Sequence, residues 1–261
     1  MAGRSTLSIQ ANVVFAIFFH EIHRNFGEYK LGILWALLEP VLMLLVFVLL
    51  FGLKGRGEFG FVEPPLFILA AFLPFRSIFH TTMKSCMSAD KALRSLSNFR
   101  QISLFDIVFA RTVISFLVGV TAGLVIAVGM YWIIGLNPLP DRILEVLVAI
   151  FTMSLFAMAT GLVFCLIQDV AKEIGKIVDF MTMPLLFLSA VFYPMTAIPE
   201  PYRSLLALNP LVHPMEIIRE YWFVRYESPV ADPQYWASWI IGSLFLAMML
   251  YRLRWRKVIA K

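Results

Sequence analysis

Four charged residues within or beside long apolar runs are the first positions in this sequence where chemistry could occur. Glu39 and Arg76 lie inside two hydrophobic segments, and Asp106 and Arg111 lie near the start of a third. A charged side chain at the centre of a bilayer costs ~3 kcal/mol on insertion scales unless it pairs or faces a cavity. The spacing of Asp106 and Arg111 allows a strained local ion pair. We expect each residue either to fix helix packing or to line a functional cavity, and Glu39 lies deepest.

Signatures of catalysis are missing from the sequence. It contains no G-x-x-x-x-G-K-[ST] phosphate loop, no G-x-S-x-G motif and no Cys/His zinc set. His20 and His23 are three residues apart, whereas H-E-x-x-H requires four, and no third ligand is evident. The inverted repeat of gradient-driven carriers is also missing. We therefore predict no catalytic residue and no metal site, and any energy source must be separate from this chain or a gradient.

Composition indicates the class of protein. Sixty per cent of the 261 residues are hydrophobic, 15% are charged and the mean hydropathy is +0.82, which is too apolar for a water-soluble core. The net charge of +5 comes from basic residues between the apolar runs, so it predicts membrane topology and no nucleic-acid partner. Cys86 and Cys165 lie in separate segments and predict two free, structural thiols.

Apolar runs of roughly 20 residues predict an all-α integral membrane fold, because that length of helix crosses about 30 Å of hydrocarbon. Backbone amides in lipid must be satisfied within their own segment, which requires helices. We predict a single transmembrane domain over residues 1–261. Its six spans are expected at 31–53, 64–83, 104–134, 143–167, 177–193 and 236–253.

The distribution of Lys and Arg predicts the orientation. The N-terminus, residues 84–103, residues 168–176 and the C-terminal tail carry most of the basic residues, so both termini are expected in the cytoplasm. The proline-rich residues 194–235 are then expected on the outer face. Residues 5–26 have an amphipathic pattern and predict a helix in the cytoplasmic interface before the first span.

The polar connection at 84–103 predicts a short cytoplasmic helix. Ser88 or Asp90 is placed to cap it, and an apolar stripe follows at Ala92, Leu93 and Leu96, with the basic residues between them in solvent. One interpretation is a helix that merely joins two spans. The other is a docking surface for another protein, because exposed apolar side chains on a short helix favour an interface.

A proline-broken stretch, "VFYPMTAIPEPYRSLLALNPLVHPMEIIRE", precedes the last span. Pro194 and Pro199 are expected to set a turn and start a short helix, and Asn209–Pro210 to divide it from a second one that contains His213 and Glu216. Broken backbone at membrane depth is tolerated only beside protein or water. We therefore predict a re-entrant helix pair, which either gates an exit or braces the sixth span.

The order of these parts resembles the permease subunits of ABC-2-type exporters. The similarity is carried by "FGEYKLGILWALLEP" at 26–40 and by the outer pattern "FYP…IP…LNPL…R". More narrowly, the chain resembles KpsM-type capsular polysaccharide permeases through two blocks of residues: 26–27 and 31–32 followed by 35–40, and 209–213 followed by Glu216 and Arg219. The resemblance extends over nearly the whole chain.

That resemblance implies a half-transporter that pairs with a second copy of itself and with two copies of a cytoplasmic ATPase. The ATPase would bind ATP and Mg, so no cofactor is expected in this chain. The exported substrate would be a lipid-linked polysaccharide that crosses the bacterial inner membrane and passes to a periplasmic co-polymerase or adaptor and to outer-membrane export proteins. Residues 83–96 would form the helix that couples to the ATPase.

The resemblance also suggests a path lined by aromatic and charged side chains, because sugar faces stack on rings. The candidates are Trp35, Glu39, Phe75, Arg76, Tyr193, Tyr202, Arg219 and Trp222. An interfacial aromatic belt is the alternative for the aromatic members. We expect Arg219 to contact an anionic lipid or linker headgroup.

Two other functions remain open at the level of sequence. One is a permease for an O-antigen or teichoic-acid-type polymer. The other is a membrane-embedded enzyme of envelope biosynthesis that uses Glu39 and the outer arginines on a lipid phosphate. An exporter permease should co-purify with an ATPase, whereas such an enzyme should act alone without ATP.

Overall fold

The computed structural model describes residues 32–52, 62–95, 102–168, 170–171 and 173–259. Every regular element in these ranges is helical. The interfacial helix expected at 5–26 and the predicted coupling residue Leu96 lie outside the described residues. Trp35 belongs to the first helix, but its side chain is outside the described part of the structure.

The described helices are numbered in chain order. Helix α2 is continuous but contains a π-helical turn, and α4 ends in another such turn. The bounds are α1 Gly32–Gly52; α2 Pro64–Met87, with its π turn at Pro74–His80; α3 Ala89–Ser95; α4 Leu104–Gly129, followed by the π turn Met130–Ile134; α5 Ile143–Gln168; α6 Ile174–Leu188; α7 Tyr202–Leu206; α8 Val212–Trp222; and α9 Pro233–Ile259.

Four described segments are long and apolar enough to cross a membrane, so the chain is a multi-pass membrane protein. They are Pro64–Met87, Leu104–Ile133, Ile143–Gln168 and Pro233–Arg254. They overlap four of the six predicted spans. Helix α1 has 21 residues and α6 has 15, and these helices overlap the other two predicted ranges.

Helices α2 and α5 form the centre of the packed structure. In their most apolar windows 78% and 67% of residues are buried, against 33% for α4 and 11% for α9. A row of aromatic rings joins α2, α5 and α9. Phe79 of α2 stacks on Phe156 of α5, and Phe156 meets Trp236 of α9 edge-on. The outer faces of α4 and α9 keep exposed apolar side chains, as expected for helices that contact lipid.

Close approach between α2 and α5 depends on Gly161. A Cβ atom at this position would lie 2.6 Å from the carbonyl oxygen of Met83 and 2.6 Å from the Cβ of Cys86. Gly119 and Gly123 of α4 similarly face Ile78 and Leu73 of α2. Small residues thus let two helices pack directly on α2, as is common between membrane helices.

The first two turns of α4 use Asp106 and Arg111 separately. Asp106 forms a capping box with Ser103, whose hydroxyl accepts from the Asp106 amide at 3.2 Å while the Ser103 amide donates to Asp106 at 2.9 Å. The buried Arg111 donates to the carbonyl of Ser85 at 2.6 Å and to the hydroxyl of Ser88 at 3.0 Å. Asp106 therefore caps its own helix, whereas Arg111 joins α4 to the end of α2.

The apolar face of α3, which the docking interpretation left exposed for a partner, is covered within the chain at Ala92 and Leu93. Ala92 is 0% exposed and Leu93 is 8% exposed, and both pack with Leu104 and other residues of α4 and α5. A seven-residue helix gains stability mainly from such packing, because its own hydrogen bonds are few. The side of α3 that faces outward carries Lys91 and Arg94.

Candidate functional site: a polar pocket on helix α2 and a buried clamp beside it

A half-open pocket of about 310 Å³ lies between α1, α2 and α4. Its apolar wall comes from α4, where it includes Ile114, Val118 and Ala122. Its polar lining consists of Glu39, Arg76, Ser77, Thr81, Ser85 and Ser115. The pocket therefore brings together Glu39 and Arg76, the two deepest charged residues singled out in the sequence.

Glu39 and Arg76 form an ion pair across the two helices. The distance from Arg76 Nη2 to Glu39 Oε1 is 2.5 Å, and the side chains are 23% and 45% exposed. Arg76 Nη1 also donates to Nδ1 of His80 at 3.0 Å, which leaves the proton of the neutral ring on Nε2. Charged groups this open at membrane depth require water or a polar ligand, so the pocket is polar space.

The π-helical turn of α2 aligns the charged residues. It begins at Pro74, which has no N–H to donate, and it contains Arg76 and His80. Residues four apart drift around an α-helix, because four residues make slightly more than one turn. A π turn holds more residues, so it offsets this drift and keeps Arg76, His80 and Lys84 in one column along one side of α2. Lys84 forms an ion pair with Asp179 of α6.

Helix α1 is held loosely beside this column. Among its described side chains only Pro40 and Leu44 are buried, and several leucines on it are exposed. Pro40 directly follows Glu39 and removes one backbone hydrogen bond within the helix. The Glu39–Arg76 pair is one of the contacts that join α1 to α2, beside the apolar packing of Leu44.

A second cluster of charge lies in α8 and is fully buried. Arg219 Nη1 donates to Glu216 Oε1 at 2.7 Å, and both side chains are 0% exposed. Arg219 also donates to the carbonyl oxygens of Ala190 and Val191, at 2.7 Å each, and its guanidinium lies 3.8 Å from the ring centre of Phe67 in α2. These contacts cap the chain just after α6 and hold α8 against it.

The other carboxylate oxygen of Glu216 is also satisfied. It accepts hydrogen bonds from the hydroxyls of Tyr226 and Ser228, at 2.7 Å each. Burial raises the pKa of the Tyr226 hydroxyl, so this group stays protonated and keeps donating. We call the cluster of Glu216, Arg219, Tyr226 and Ser228 the buried clamp.

The predicted gate residues Asn209 and His213 support the same region. Asn209 donates to the carbonyl of Leu188 at 3.1 Å, at the end of α6. His213 bonds through Nε2 to the carbonyl of Ala207 at 2.8 Å and through Nδ1 to the amide of Asp232 at 3.3 Å. In this conformation both side chains brace the backbone around α7 and α8.

The remaining predicted path and gate residues are spread over the structure. Phe75 is 1% exposed and packs on Phe79, whereas Tyr202 is 64% exposed on α7. Tyr193 donates to the carbonyl of Phe187 at 2.7 Å, and Trp222 donates to the carbonyl of Pro138 at 3.1 Å. Tyr193 and Trp222 thereby fix loops. Pro194, Pro199 and Pro210 lie in the turns that separate α6, α7 and α8.

Sequence reasoning did not single out His80, Asp179 or the pocket hydroxyls. A usable signal was present, because Arg76, His80 and Lys84 follow one another at intervals of four residues. The partner of Lys84 lies 95 residues away in the chain, and no local pattern identifies it.

Comparison with known families identifies the class of protein. Residues 12–223 match the family described as "ABC-2 type transporter". The match covers most of the sequence, and the chain belongs to this family.

Individual relatives extend over nearly the same length. The chain is 30% identical to the "Polysialic acid transport protein KpsM" of Escherichia coli, over 97% of each chain. It is 25% identical to the "Capsule polysaccharide export inner-membrane protein BexB" of Haemophilus influenzae, over 86% of each chain. It is 28% identical to the "Capsule polysaccharide export inner-membrane protein CtrC" of Neisseria meningitidis serogroup A, over 86% of this chain and 85% of the relative.

Proposed function

We propose that this chain is the transmembrane permease subunit of an ATP-driven exporter that moves a lipid-linked capsular polysaccharide across the bacterial inner membrane. The observation that carries this proposal is the full-length similarity to relatives named for capsule polysaccharide export and polysialic acid transport. A polar pocket among membrane helices supports a transport role for the same chain.

The working unit in this proposal contains two copies of the chain and two cytoplasmic ATPase subunits that bind ATP and Mg. Each copy has six spans, with α1 and α6 as the first and fifth, and both termini are cytoplasmic. Residues 5–26 form the interfacial helix, and α7 and α8 form the re-entrant pair on the periplasmic side. The polymer then passes to a periplasmic adaptor and to outer-membrane export proteins.

The polar pocket lies on the substrate path in this proposal. Glu39, Arg76 and the pocket hydroxyls offer hydrogen-bond donors and acceptors to sugar hydroxyls and to charged groups. The predicted path residues near α8 serve the path indirectly, because Arg219 and Trp222 hold the outer wall through buried contacts.

The ATPase couples to this chain by binding α3. With Ala92 and Leu93 buried, the outward residues Lys91 and Arg94 form the docking surface, and Asp90 pairs with Arg94 at 3.6 Å. Arg111 ties Ser88, which directly precedes α3, to α4 and α2. Because α2 runs without a break from Met87 back to Arg76, a displacement of α3 reaches the pocket through a stiff helix.

Deletion of the gene tests this function. We expect the polysaccharide to be made, to accumulate in the cytoplasm and to disappear from the cell surface, and the wild-type gene to restore it. Affinity purification of the restored chain should recover an ATPase. Loss of polymer synthesis, or activity of the lone chain on a lipid substrate without ATP, would instead support the membrane enzyme.

A further inference from the structure

We propose that the polar pocket is an anion-exchange site, in which a carboxylate or phosphate of the exported substrate binds Arg76 by displacing Glu39. This inference rests on the proposed export function and adds the chemical class of the group that is recognised. Glu39 then acts as an internal counter-ion, which neutralises Arg76 while the pocket is empty of substrate.

The two Arg–Glu pairs of this chain show why exchange is possible at one and not at the other. In the buried clamp the side chains of Arg219 and Glu216 are 0% exposed, and both carboxylate oxygens of Glu216 are hydrogen-bonded. In the pocket the side chains of Arg76 and Glu39 are 23% and 45% exposed. The first pair is closed by the fold, whereas the second is accessible to a competing anion.

The geometry of the open pair leaves room for a better ligand. Glu39 binds through one oxygen to one guanidinium nitrogen, at 2.5 Å. A guanidinium presents a planar fork that favours bidentate binding of carboxylate or phosphate. An incoming anion can engage the guanidinium hydrogens that neither Glu39 nor His80 accepts, and the pocket wall also offers the hydroxyls of Ser77 and Ser115.

The size of the pocket limits what enters. A volume of about 310 Å³ lies at the lower end of the range for small-molecule sites. It therefore holds one charged group with about one sugar ring, and not a length of polymer. Two sources share this chemistry: an acidic sugar of the polymer and the phosphate of its lipid headgroup.

Exchange at Arg76 has a mechanical consequence. Glu39 lies directly before Pro40, in a helix with only two buried described side chains, so its release loosens α1 from α2. The Lys84–Asp179 pair is unaffected and keeps α6 attached to the same column. Substrate binding would thereby free one wall of the pocket while the other stays fixed.

The test measures binding of small anions to the full-length chain with its ATPase in phosphatidylethanolamine nanodiscs, by ligand-observed NMR titration. Glucuronate and inorganic phosphate are the anionic probes, and glucose is the neutral control. We expect both anions to bind and glucose not to bind. Arg76→Gln should abolish glucuronate binding and the phosphate binding that the ATPase alone does not show, and Arg76→Lys should weaken both because the bidentate fork is lost.

Glu39→Gln is the decisive variant. It removes the competing charge, so we expect anion affinity to rise about tenfold, since apparent affinity scales with the fraction of free site. Exposed residues of the same types, changed as Glu145→Gln and Arg142→Gln, provide matched controls and should leave binding unchanged. Nanodiscs with phosphatidylglycerol separate the sources: competition with glucuronate in the wild type indicates a lipid phosphate, and its absence indicates an acidic sugar.

Three results would overturn the exchange site. They are equal binding of glucose and glucuronate, undiminished binding in Arg76→Gln, and weaker binding in Glu39→Gln. If Arg76→Gln does not fold, Arg76→Lys and Glu39→Gln decide the question. The proposed export function fails in a different experiment. If it is wrong, the deletion strain shows normal surface polysaccharide, whatever the binding data show.

Discussion

Arg219 and Glu216 lie one turn apart in α8 and form an ion pair that solvent does not reach, with 2.7 Å between Nη1 and Oε1. Both carboxylate oxygens of Glu216 are hydrogen-bonded in this arrangement, and two backbone carbonyls after α6 accept hydrogen bonds from Arg219. A buried pair contributes little when intact relative to apolar residues, but breaking it leaves a charge without compensation. The pair is thus a structural element that holds α8 to the chain after α6.

Removal of either partner should therefore damage the fold before it affects transport. We expect Arg219→Ala to lower the free energy of unfolding by about 3–5 kcal/mol, because Glu216 is left charged and buried. Thermal unfolding of the purified chain and its yield in membranes measure this. Arg225→Ala, at an exposed arginine nearby, is the control. Normal stability together with reduced export would instead favour contact of Arg219 with a lipid headgroup.

Close packing of α2 on α5 should make Gly161 intolerant of any side chain. Gly161→Ala places a methyl group 2.6 Å from the Met83 carbonyl, and we expect a loss of about 1–3 kcal/mol from forced separation of the helices. Gly129→Ala, where no atom lies within 4 Å, should be neutral or stabilising. Equal melting temperatures for the two variants would contradict the close approach.

The packing of α3 separates its buried apolar face from its exposed basic face. Leu93→Asp should destabilise the chain itself, because it buries a carboxylate against α4. Lys91→Glu with Arg94→Glu should leave the chain folded and reduce the ATPase recovered by affinity purification several-fold. Undiminished recovery with the double variant would show that the ATPase binds elsewhere.

The Lys84–Asp179 pair should act through the attachment of α6 to α2. It is partly exposed, at 36% and 56%, so its effect on stability is about 1 kcal/mol or less. We expect Lys84→Asp to reduce polysaccharide export with little loss of folded chain, and Lys84→Asp with Asp179→Lys to recover much of it. If the double exchange is no better than the single one, the pair has no role in holding the helices.

Much of the helical framework could be predicted from hydropathy. The apolar run predicted at 104–134 is helical throughout in α4 and its π turn, and the run at 143–167 is α5 with one residue more. Each membrane helix forms its backbone hydrogen bonds within its own segment, so the length of an apolar run predicts the length of the helix. The charged residues of the pocket were likewise visible, because Glu39 and Arg76 are conspicuous in apolar surroundings.

Contacts between distant segments could not be predicted in the same way. Arg219 looks like a surface residue in sequence, and only the fold shows that Phe67 and the carbonyls after α6 enclose it. The stripe at Ala92 and Leu93 has the same pattern whether it faces a partner or the chain's own α4. Periodicity identifies an apolar face, but tertiary packing decides what covers it.

Surface polysaccharide per cell in the deletion strain carrying Arg76→Gln tests the central claim most directly, namely that a polar pocket on α2 serves export. The Arg142→Gln variant at equal membrane abundance is the reference. We expect Arg76→Gln to leave the polymer in the cytoplasm with about one tenth or less of the reference amount at the surface, since loss of a charge-assisted contact changes binding roughly tenfold or more. Equal surface polysaccharide in the two strains would contradict the claim.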